Sequence, residues 1–267
     1  DSENHAPSPP ACNGQATLCD KRLDQVAFAK THNSHANLEA GYHILAANHR
    51  LSVHRQLEDG VRSLNFDVYL FEGRMVTCHT ICQAGQQDLV KLLGVVRDFL
   101  VANPREILLL DLQNEAPMAK TVEAFETSAI TDLAHVQSQG EPWPTLAEMV
   151  ESNKRLVLFA KGTKGTPAWL HESKNYIYST AWGTARPEHF SCKLLNKKFP
   201  HGLFELDHTL SDPISRPDLA ELVNHDPYLS DRAQECAKKV GKRPNLIAVD
   251  WYTTGDLLSA VETLNRL

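Results

Sequence analysis

The chain has 267 residues, of which 42% are hydrophobic and 22% are charged. This composition is typical of a folded globular protein and excludes a disordered chain. The formal net charge of -6 disfavours nucleic acid as a partner, and no apolar run approaches the ~18 residues of a membrane-spanning helix.

The first part of the chain is polar and rich in proline. We expect a flexible lead over residues 1–11, followed by one domain over residues 12–267. A single domain of this length is common among α/β barrels.

Six cysteines form an even set without the paired spacing of a zinc ribbon, which predicts up to three disulfide bonds. A bridge from Cys12 to Cys19 would fix the entry of the chain onto the domain, and Cys78 and Cys82 favour a tight disulfide loop. The sequence leaves the pairing beyond Cys12–Cys19 open. Because disulfides persist in oxidising compartments, we expect a secreted protein whose signal peptide has already been removed. The cysteines are Cys12, Cys19, Cys78, Cys82, Cys192 and Cys236.

Strand patterns alternate with helical patterns along the chain. The spacing of apolar residues predicts a helix over 88–102, and Thr145 with Glu148 forms a capping box that begins another. Strands and helices that alternate in this number predict an α/β fold, a single distorted TIM-type (β/α) barrel with parallel strands. The predicted strands are 25–31, 61–69, 74–79, 107–113, 155–161, 202–207 and 245–251, with 175–179 as a candidate eighth.

Polar side chains interrupt these apolar strands near their C-terminal ends. In strand 61–69 the alternation of side chains places Asn65 and Asp67 on one face and apolar residues on the other. Because the carboxyl ends of barrel strands meet at one mouth, where catalytic groups gather, we expect these residues to build one site. The polar residues at strand ends are His32, Asn33, Asn65, Asp67, His79, Asp111, Gln113 and Asp250.

Three motifs carry a family resemblance. THNSHA at 31–36, DGVRSLNFDVY at 59–69 and CHT at 78–80 resemble the X domain of phosphatidylinositol-specific phospholipase C. The stretches at 12–34 and 243–252 resemble secreted plant, fungal and bacterial members of the same superfamily. The resemblance implies a phosphodiesterase that cleaves the glycerol–phosphate bond of phosphoinositides through a cyclic inositol phosphate.

The resemblance also assigns catalytic roles to three residues. It implies that His32 is the general base, that His79 is the general acid, and that Asp250 holds the base histidine. Two imidazoles suit this chemistry, because both proton transfers require a pKa near the working pH.

A divalent cation is implied at the same site. Metal-independent members carry arginine where this chain has Asp67, whereas calcium-dependent members carry aspartate there and asparagine at the position of Asn33. The resemblance therefore implies Ca²⁺ bound by Asn33, Asp67, Asn65 and Gln113. Since Asn65 and Gln113 replace glutamates, we expect weak or differently composed metal binding, because calcium affinity follows ligand charge. Carboxylates that would compensate are Asp111, Glu115 and Glu205.

Several alternatives stay open at this stage. Lys161 ends a predicted strand and either binds the lipid head group, as in relatives, or is a solvated lysine. The resemblance implies a phosphoinositide substrate at a transient membrane surface, and we expect the protein to be a monomer. Alternatively, the barrel cleaves another head group, as in glycerophosphodiesterases or sphingomyelinase D-like proteins, or it is a non-catalytic lipid-binding barrel.

Overall fold

The computed structural model describes residues 10–267, and its central feature is one ten-stranded sheet that curls into a barrel. The predicted flexible lead at 1–11 lies almost wholly outside the described residues. The strands are β1 (Phe28–Thr31), β2 (Ser63–Phe71), β3 (Arg74–Thr77), β4 (Gln87–Asp88), β5 (Leu108–Asn114), β6 (Leu156–Ala160), β7 (Leu170–Glu172), β8 (Ile177–Ser179), β9 (Leu203–Asp207) and β10 (Leu246–Val249).

In the part of the chain that the structure describes, seven α-helices accompany the sheet. Within residues 10–267, none combines the length and the hydropathy that a membrane crossing requires. The predicted helix at 88–102 is confirmed, with the Asp88 side chain capping its first turn, and so is the capping box of Thr145 and Glu148. The helices are α1 (Val53–Asp59), α2 (Leu89–Ala102), α3 (Met118–Thr127), α4 (Leu146–Glu151), α5 (Pro217–Val223), α6 (Tyr228–Val240) and α7 (Leu257–Arg266).

Eight strands form the wall of the barrel in the order β7-β6-β5-β2-β1-β10-β9-β8, and all of these neighbours pair in parallel. The α/β barrel predicted from the sequence is therefore confirmed. The ladder is not closed, because β7 and β8 end it and share no strand pairing in the described chain. The barrel thus has one open seam.

Strands β3 and β4 differ from the predicted alternation of parallel strands. Glu72 and Gly73 both have positive φ angles, 48° and 76°, as a two-residue hairpin turn requires. The turn reverses the chain, so β3 runs antiparallel to β2 and pairs Thr77 with Val68. It thereby brings the start of the following loop back to the barrel mouth, where Cys78 N donates to Asp67 O at 3.3 Å.

The two faces of β2 explain where the core and the site lie. Leu64, Phe66 and Val68 are fully buried in the main core, whose members include the apolar face of α2. The alternate residues Asn65 and Asp67 face the barrel interior, as the alternation of side chains predicts. The interior of the mouth is consequently polar, and the apolar core lies between the sheet and its helices.

All six cysteines pair, which confirms the expected three disulfides. Cys12 is bonded to Cys19 and Cys78 to Cys82. The remaining bridge, from Cys192 to Cys236, joins a long loop after β8 to helix α6.

Candidate active site

His32 and Asp250 lie side by side because their strands are neighbours in the sheet. The register of β1 and β10 pairs Thr31 with Val249, so the residue after each strand emerges at the same level of the mouth. The distance from His32 Nδ1 to Asp250 Oδ1 is 3.0 Å. Nδ1–H donates to the carboxylate, and Nε2 remains the free nitrogen of the ring.

Carboxylates control the protonation of this histidine. Burial lowers the pKa of His32, but the charge and hydrogen bond of Asp250, together with Asp207 and Asp67, raise it to about 9. Burial raises the pKa of Asp250, yet the charge of His32 holds it below its usual range. In the free protein the two residues therefore form an imidazolium–carboxylate pair.

His79 lies in the short loop that the Cys78–Cys82 disulfide closes. Its Nδ1 donates to the main-chain carbonyl of Ala46 at 3.0 Å, which leaves Nε2 free. Burial lowers the pKa of His79, and the positive charge of His32 acts in the same direction. The pKa of His32 is thus raised and that of His79 lowered, so His32 holds a proton more readily than His79 does.

Three of the four predicted cation ligands come together beside His32. The end of the Asn33 amide lies 3.1 and 3.3 Å from the two oxygens of Asp67 and 3.2 Å from Asn65 Oδ1. With its nitrogen in that place the amide donates to these oxygens. Turned about, the amide presents its oxygen beside these three, and a set of four oxygens of this kind suits a hard cation.

Asp67 is the only carboxylate in this set. Burial raises its pKa to about 7, and Glu115 and Asp111 act in the same direction, whereas His32 opposes them. Within the described residues, no three His, Cys, Asp or Glu side chains form a metal-binding group. The donor set fits a hard cation through Asp67 and amide oxygens, with the low charge that the sequence predicts. Gln113 neighbours Asp67 in the register of β2 and β5, but it is exposed.

Two carboxylates that were considered as extra ligands have another partner. Lys30, which is buried in β1, has its Nζ 2.8 Å from Glu205 Oε2 and 3.4 Å from Asp111 Oδ2. Burial lowers the pKa of Lys30, but Glu205 and Asp111 raise it above its usual value. Asp111 also accepts from Ser173 Oγ at 2.8 Å. Asp111 and Glu205 therefore neutralise a buried lysine rather than standing free for a cation.

The remaining predicted residues, Lys161 and Glu115, are both exposed. Lys161 follows β6, is exposed, and makes no hydrogen bond or ion pair with any residue of 10–267. Glu115 is likewise exposed after β5.

Sequence reasoning missed three buried residues of the site. Asp207 ends β9, and its charge acts on His32. Like Asp250, Asp207 is a carboxylate at the end of a predicted apolar strand. The pattern that indicates Asp250 in the sequence therefore also indicates Asp207. Asn48 donates from Nδ2 to Asp250 Oδ1 at 2.9 Å, and His49 Nε2 donates to His32 O at 2.6 Å.

The described chain is thus an α/β barrel with a histidine–carboxylate pair and a second histidine at its mouth. A family model described as PI-PLC X 1 matches residues 18–265, and the chain belongs to this family.

Relatives and solved structures agree with this assignment. The chain is 26% identical to an "Uncharacterized secreted protein" of Arthroderma benhamiae, over 94% of this chain and 62% of that protein. It is 27% identical to a PI-PLC X domain-containing protein of Arabidopsis thaliana, over 97% of this chain and 67% of that protein. The chain thus spans about two thirds of the length of these relatives. Phosphatidylinositol-specific phospholipase C of Staphylococcus aureus has the same fold, with a TM-score of 0.67 at 14% identity, covering 93% of this chain and 95% of that one.

Proposed function

We propose that the protein is a secreted phosphatidylinositol-specific phospholipase C-like phosphodiesterase that acts as a monomer. It cleaves the glycerol–phosphate bond of a phosphoinositide and leaves a cyclic inositol phosphate and diacylglycerol. The observation that carries the proposal is the His32–Asp250 pair, 3.0 Å apart, within electrostatic reach of His79.

Two proton transfers balance the reaction. The inositol 2-hydroxyl oxygen attacks phosphorus and gives its proton to His32 Nε2, while Asp250 accepts the hydrogen bond from Nδ1. The phosphorus–oxygen bond to glycerol breaks, and His79 Nε2 gives a proton to the departing oxygen. For the next turnover a proton passes back from His32 to His79.

The bound substrate shifts the pKa of His79 in the direction that this cycle requires. In the free site His32 is the charged histidine, whereas turnover requires it to be neutral and His79 to be protonated. A phosphodiester bound beside His79 places a negative charge there, which raises the pKa of that ring. Coupled histidines of this kind titrate as a pair, so the two roles belong to the pair in its substrate-bound state.

A divalent cation, calcium in our proposal, would lie among Asn33, Asn65 and Asp67 and supply charge stabilisation for the developing phosphorane. These residues fit such an ion through oxygen atoms. Asp67 itself binds no phosphate oxygen directly, because like charges repel. Its part is to hold the cation beside His32.

The barrel interior suits a polyol head group. Asp111, Glu205 and Asp207 present carboxylate oxygens that accept hydrogen bonds from hydroxyl groups, and Lys30 is already neutralised by two of them. Asp207 also accepts from Thr209 Oγ1 at 2.7 Å, which fixes its orientation. The negative balance of these groups favours an inositol without additional ring phosphates.

Apolar side chains on the two loops that flank His79 would meet the lipid surface. Ile44, Leu45 and Ile81 are 46%, 61% and 59% exposed. The first two precede Ala46, which accepts the hydrogen bond from His79, and Ile81 is two residues beyond His79. Contact of these residues with lipid would place the site at the membrane surface.

Phosphorus NMR of the purified protein tests the proposal. Phosphatidylinositol is incubated with and without calcium or chelator, and sphingomyelin and lysophosphatidylcholine are the comparison lipids. We expect a cyclic phosphodiester signal from phosphatidylinositol that the His32→Ala variant does not produce.

Other outcomes separate the alternatives. Release of product only from the comparison lipids would establish a different head-group specificity. A folded protein that turns over none of the lipids would be a binding barrel, and turnover that survives in the His32→Ala variant would overturn the base assignment.

A further inference from the structure

The dipeptide Asn48–His49 lies between the end of β1, which is followed by His32, and the end of β10, which is followed by Asp250. Both residues are buried, with 1% and 0% of their surfaces exposed. They belong to the loop between β1 and α1, and no step of the proposed reaction uses them.

Each residue of the dipeptide contacts one half of the pair. Asn48 Nδ2 donates to Asp250 Oδ1 at 2.9 Å, the same oxygen that accepts from His32 Nδ1. His49 Nε2 donates to the main-chain oxygen of His32 at 2.6 Å. The dipeptide therefore joins the end of β1 to the end of β10.

The backbone holds Asn48 in place for this contact. Its N–H donates to Ala36 O at 2.8 Å, and its carbonyl accepts from Trp251 N at 2.7 Å. Trp251 directly follows Asp250 and has a positive φ of 51°, a conformation that a bulky residue adopts only where its surroundings enforce it.

The carboxylate of Asp250 depends on this support. Its second oxygen, Oδ2, is buried and has no hydrogen-bond partner among the described residues. At Oδ1 the carboxylate accepts from two side chains, His32 and Asn48, and the Ser215 side chain lies near enough to the carboxylate to lower its pKa. Without Asn48, Oδ1 would keep His32 as its one donor among the described residues.

We propose that Asn48 is a positioning residue of the active site, which fixes Asp250 Oδ1 against His32 Nδ1 and thereby sets the ring orientation of the base. This inference rests on the proposed function for its effect on turnover. Its effect on the hydrogen bond between His32 and Asp250 does not depend on any substrate.

The experiment compares Asn48 with a second asparagine that contacts Asp250 elsewhere. Asn224 is also 1% exposed, and its Nδ2 donates to the main-chain oxygen of Asp250 at 2.9 Å. Asn224→Ala therefore removes an equally buried amide without touching the carboxylate. Asn48→Leu accompanies Asn48→Ala, because leucine is close to asparagine in size and has no donor.

Two readouts are measured for each variant. The first is the low-field proton resonance of His32 Nδ1–H, recorded at a single acidic pH without substrate. The second is kcat and KM for phosphatidylinositol. A loss of packing alone would lower Tm and leave both readouts in place.

We expect both Asn48 variants to shift or broaden the His32 resonance and to lower kcat by about tenfold, with KM unchanged, because small misplacements of a catalytic group are costly. We expect Asn224→Ala to lower Tm. The His32 resonance should stay unchanged, and kcat should stay within about twofold of that of the parent protein.

Three results would overturn the proposal. An unchanged resonance in a folded Asn48 variant would show that the amide does not orient the pair. The same change in Asn224→Ala would show general loosening, and a rise in KM alone would show a role in substrate binding. If the parent protein turns over no lipid, the proposed function fails, and the resonance alone decides the role of Asn48.

Discussion

The two histidines of the site are held in very different ways. His32 emerges from the sheet and bonds to a buried carboxylate, which is itself bonded to Asn48. His79 lies in a loop beyond the antiparallel strand β3, and its one side-chain hydrogen bond within residues 10–267 goes to the main chain of a neighbouring loop. That neighbouring loop carries exposed Ile44 and Leu45.

The difference indicates that the positions of the two histidines depend on different parts of the molecule. His32, the proposed base, is part of the barrel, where a buried network fixes its tautomer. His79, the proposed acid, belongs to a loop, so its position depends on what that loop contacts. We therefore expect the base side to respond to changes in the barrel, and the acid side to respond to the disulfide loop and to the lipid surface.

The largest expected effect separates the roles of the two rings. His32→Ala and His79→Ala should each lower turnover of phosphatidylinositol by about 10³-fold, a typical contribution of general acid–base catalysis. On an inositol phosphodiester with a nitrophenolate leaving group, which departs without protonation, only His79→Ala should recover activity. Equal losses for both variants on both substrates would break the distinction between base and acid.

The next effect concerns the disulfide beside the acid. Replacing both Cys78 and Cys82 by serine should reduce turnover of the lipid about tenfold, because the loop no longer holds His79 in place. The nitrophenyl substrate should be cleaved at nearly the parent rate. Serines at Cys12 and Cys19, a bridge at the opposite end of the barrel, are the control and should leave both rates unchanged.

A smaller effect is expected at the lipid surface. The double variant Ile44→Ser, Leu45→Ser should bind phosphatidylinositol vesicles about tenfold more weakly, since it removes apolar surface that leaves water on binding. Sedimentation with vesicles measures this affinity. Val101→Ser is the matched control, because Val101 is 63% exposed near the end of α2, at the other pole. Similar losses in both variants would contradict a specific apolar rim.

The smallest expected effect is a change in thermal stability when Asp67 is replaced, and its size depends on pH. The pKa of Asp67 is raised to about 7, so its unfavourable ionisation removes stability as pH rises from the unfolded value of about 3.9 through 7. In chelator at about pH 8, Asp67→Asn should therefore raise Tm by roughly 2 to 5 °C, and near pH 4 the difference should vanish.

The Tm of the parent protein and of Asp67→Asn is then measured again with added calcium. An ion held by Asp67 stabilises the folded parent protein, so added calcium should raise the Tm of the parent and leave that of Asp67→Asn unchanged. An equal response of both proteins, or a variant that is less stable in chelator at high pH, would contradict the proposed role of Asp67.

The sequence predicts the barrel well because each strand is a short apolar run with a polar end. This pattern locates His32 and Asp250, and the register of β1 and β10 then brings them together. Asn48 lies in a loop with no periodicity, so nothing local in the sequence indicates that it reaches Asp250.

Two further features of the structure were not predicted from the sequence, and each has a physical reason. Lys30 interrupts the apolar run of β1, and a buried lysine requires anionic partners, but the sequence does not say which carboxylates provide them. The sequence indicates Asp111 and Glu205 as compensating cation ligands because Asn65 and Gln113 replace glutamates, whereas in the structure both contact Lys30. Helix α6 carries buried Leu229 and Ala233 at helical spacing, and its otherwise charged sequence hides that face.

The seam between β7 and β8 has a consequence for the size of the barrel. A fully paired ring of strands would have a fixed circumference, because widening it breaks backbone hydrogen bonds. Here the two edge strands are separated by only four residues of chain and are not paired, and Ser173, between them, reaches across to Asp111. A change in the spacing of β7 and β8 would therefore exchange side-chain contacts and leave the backbone ladder of the other strands intact.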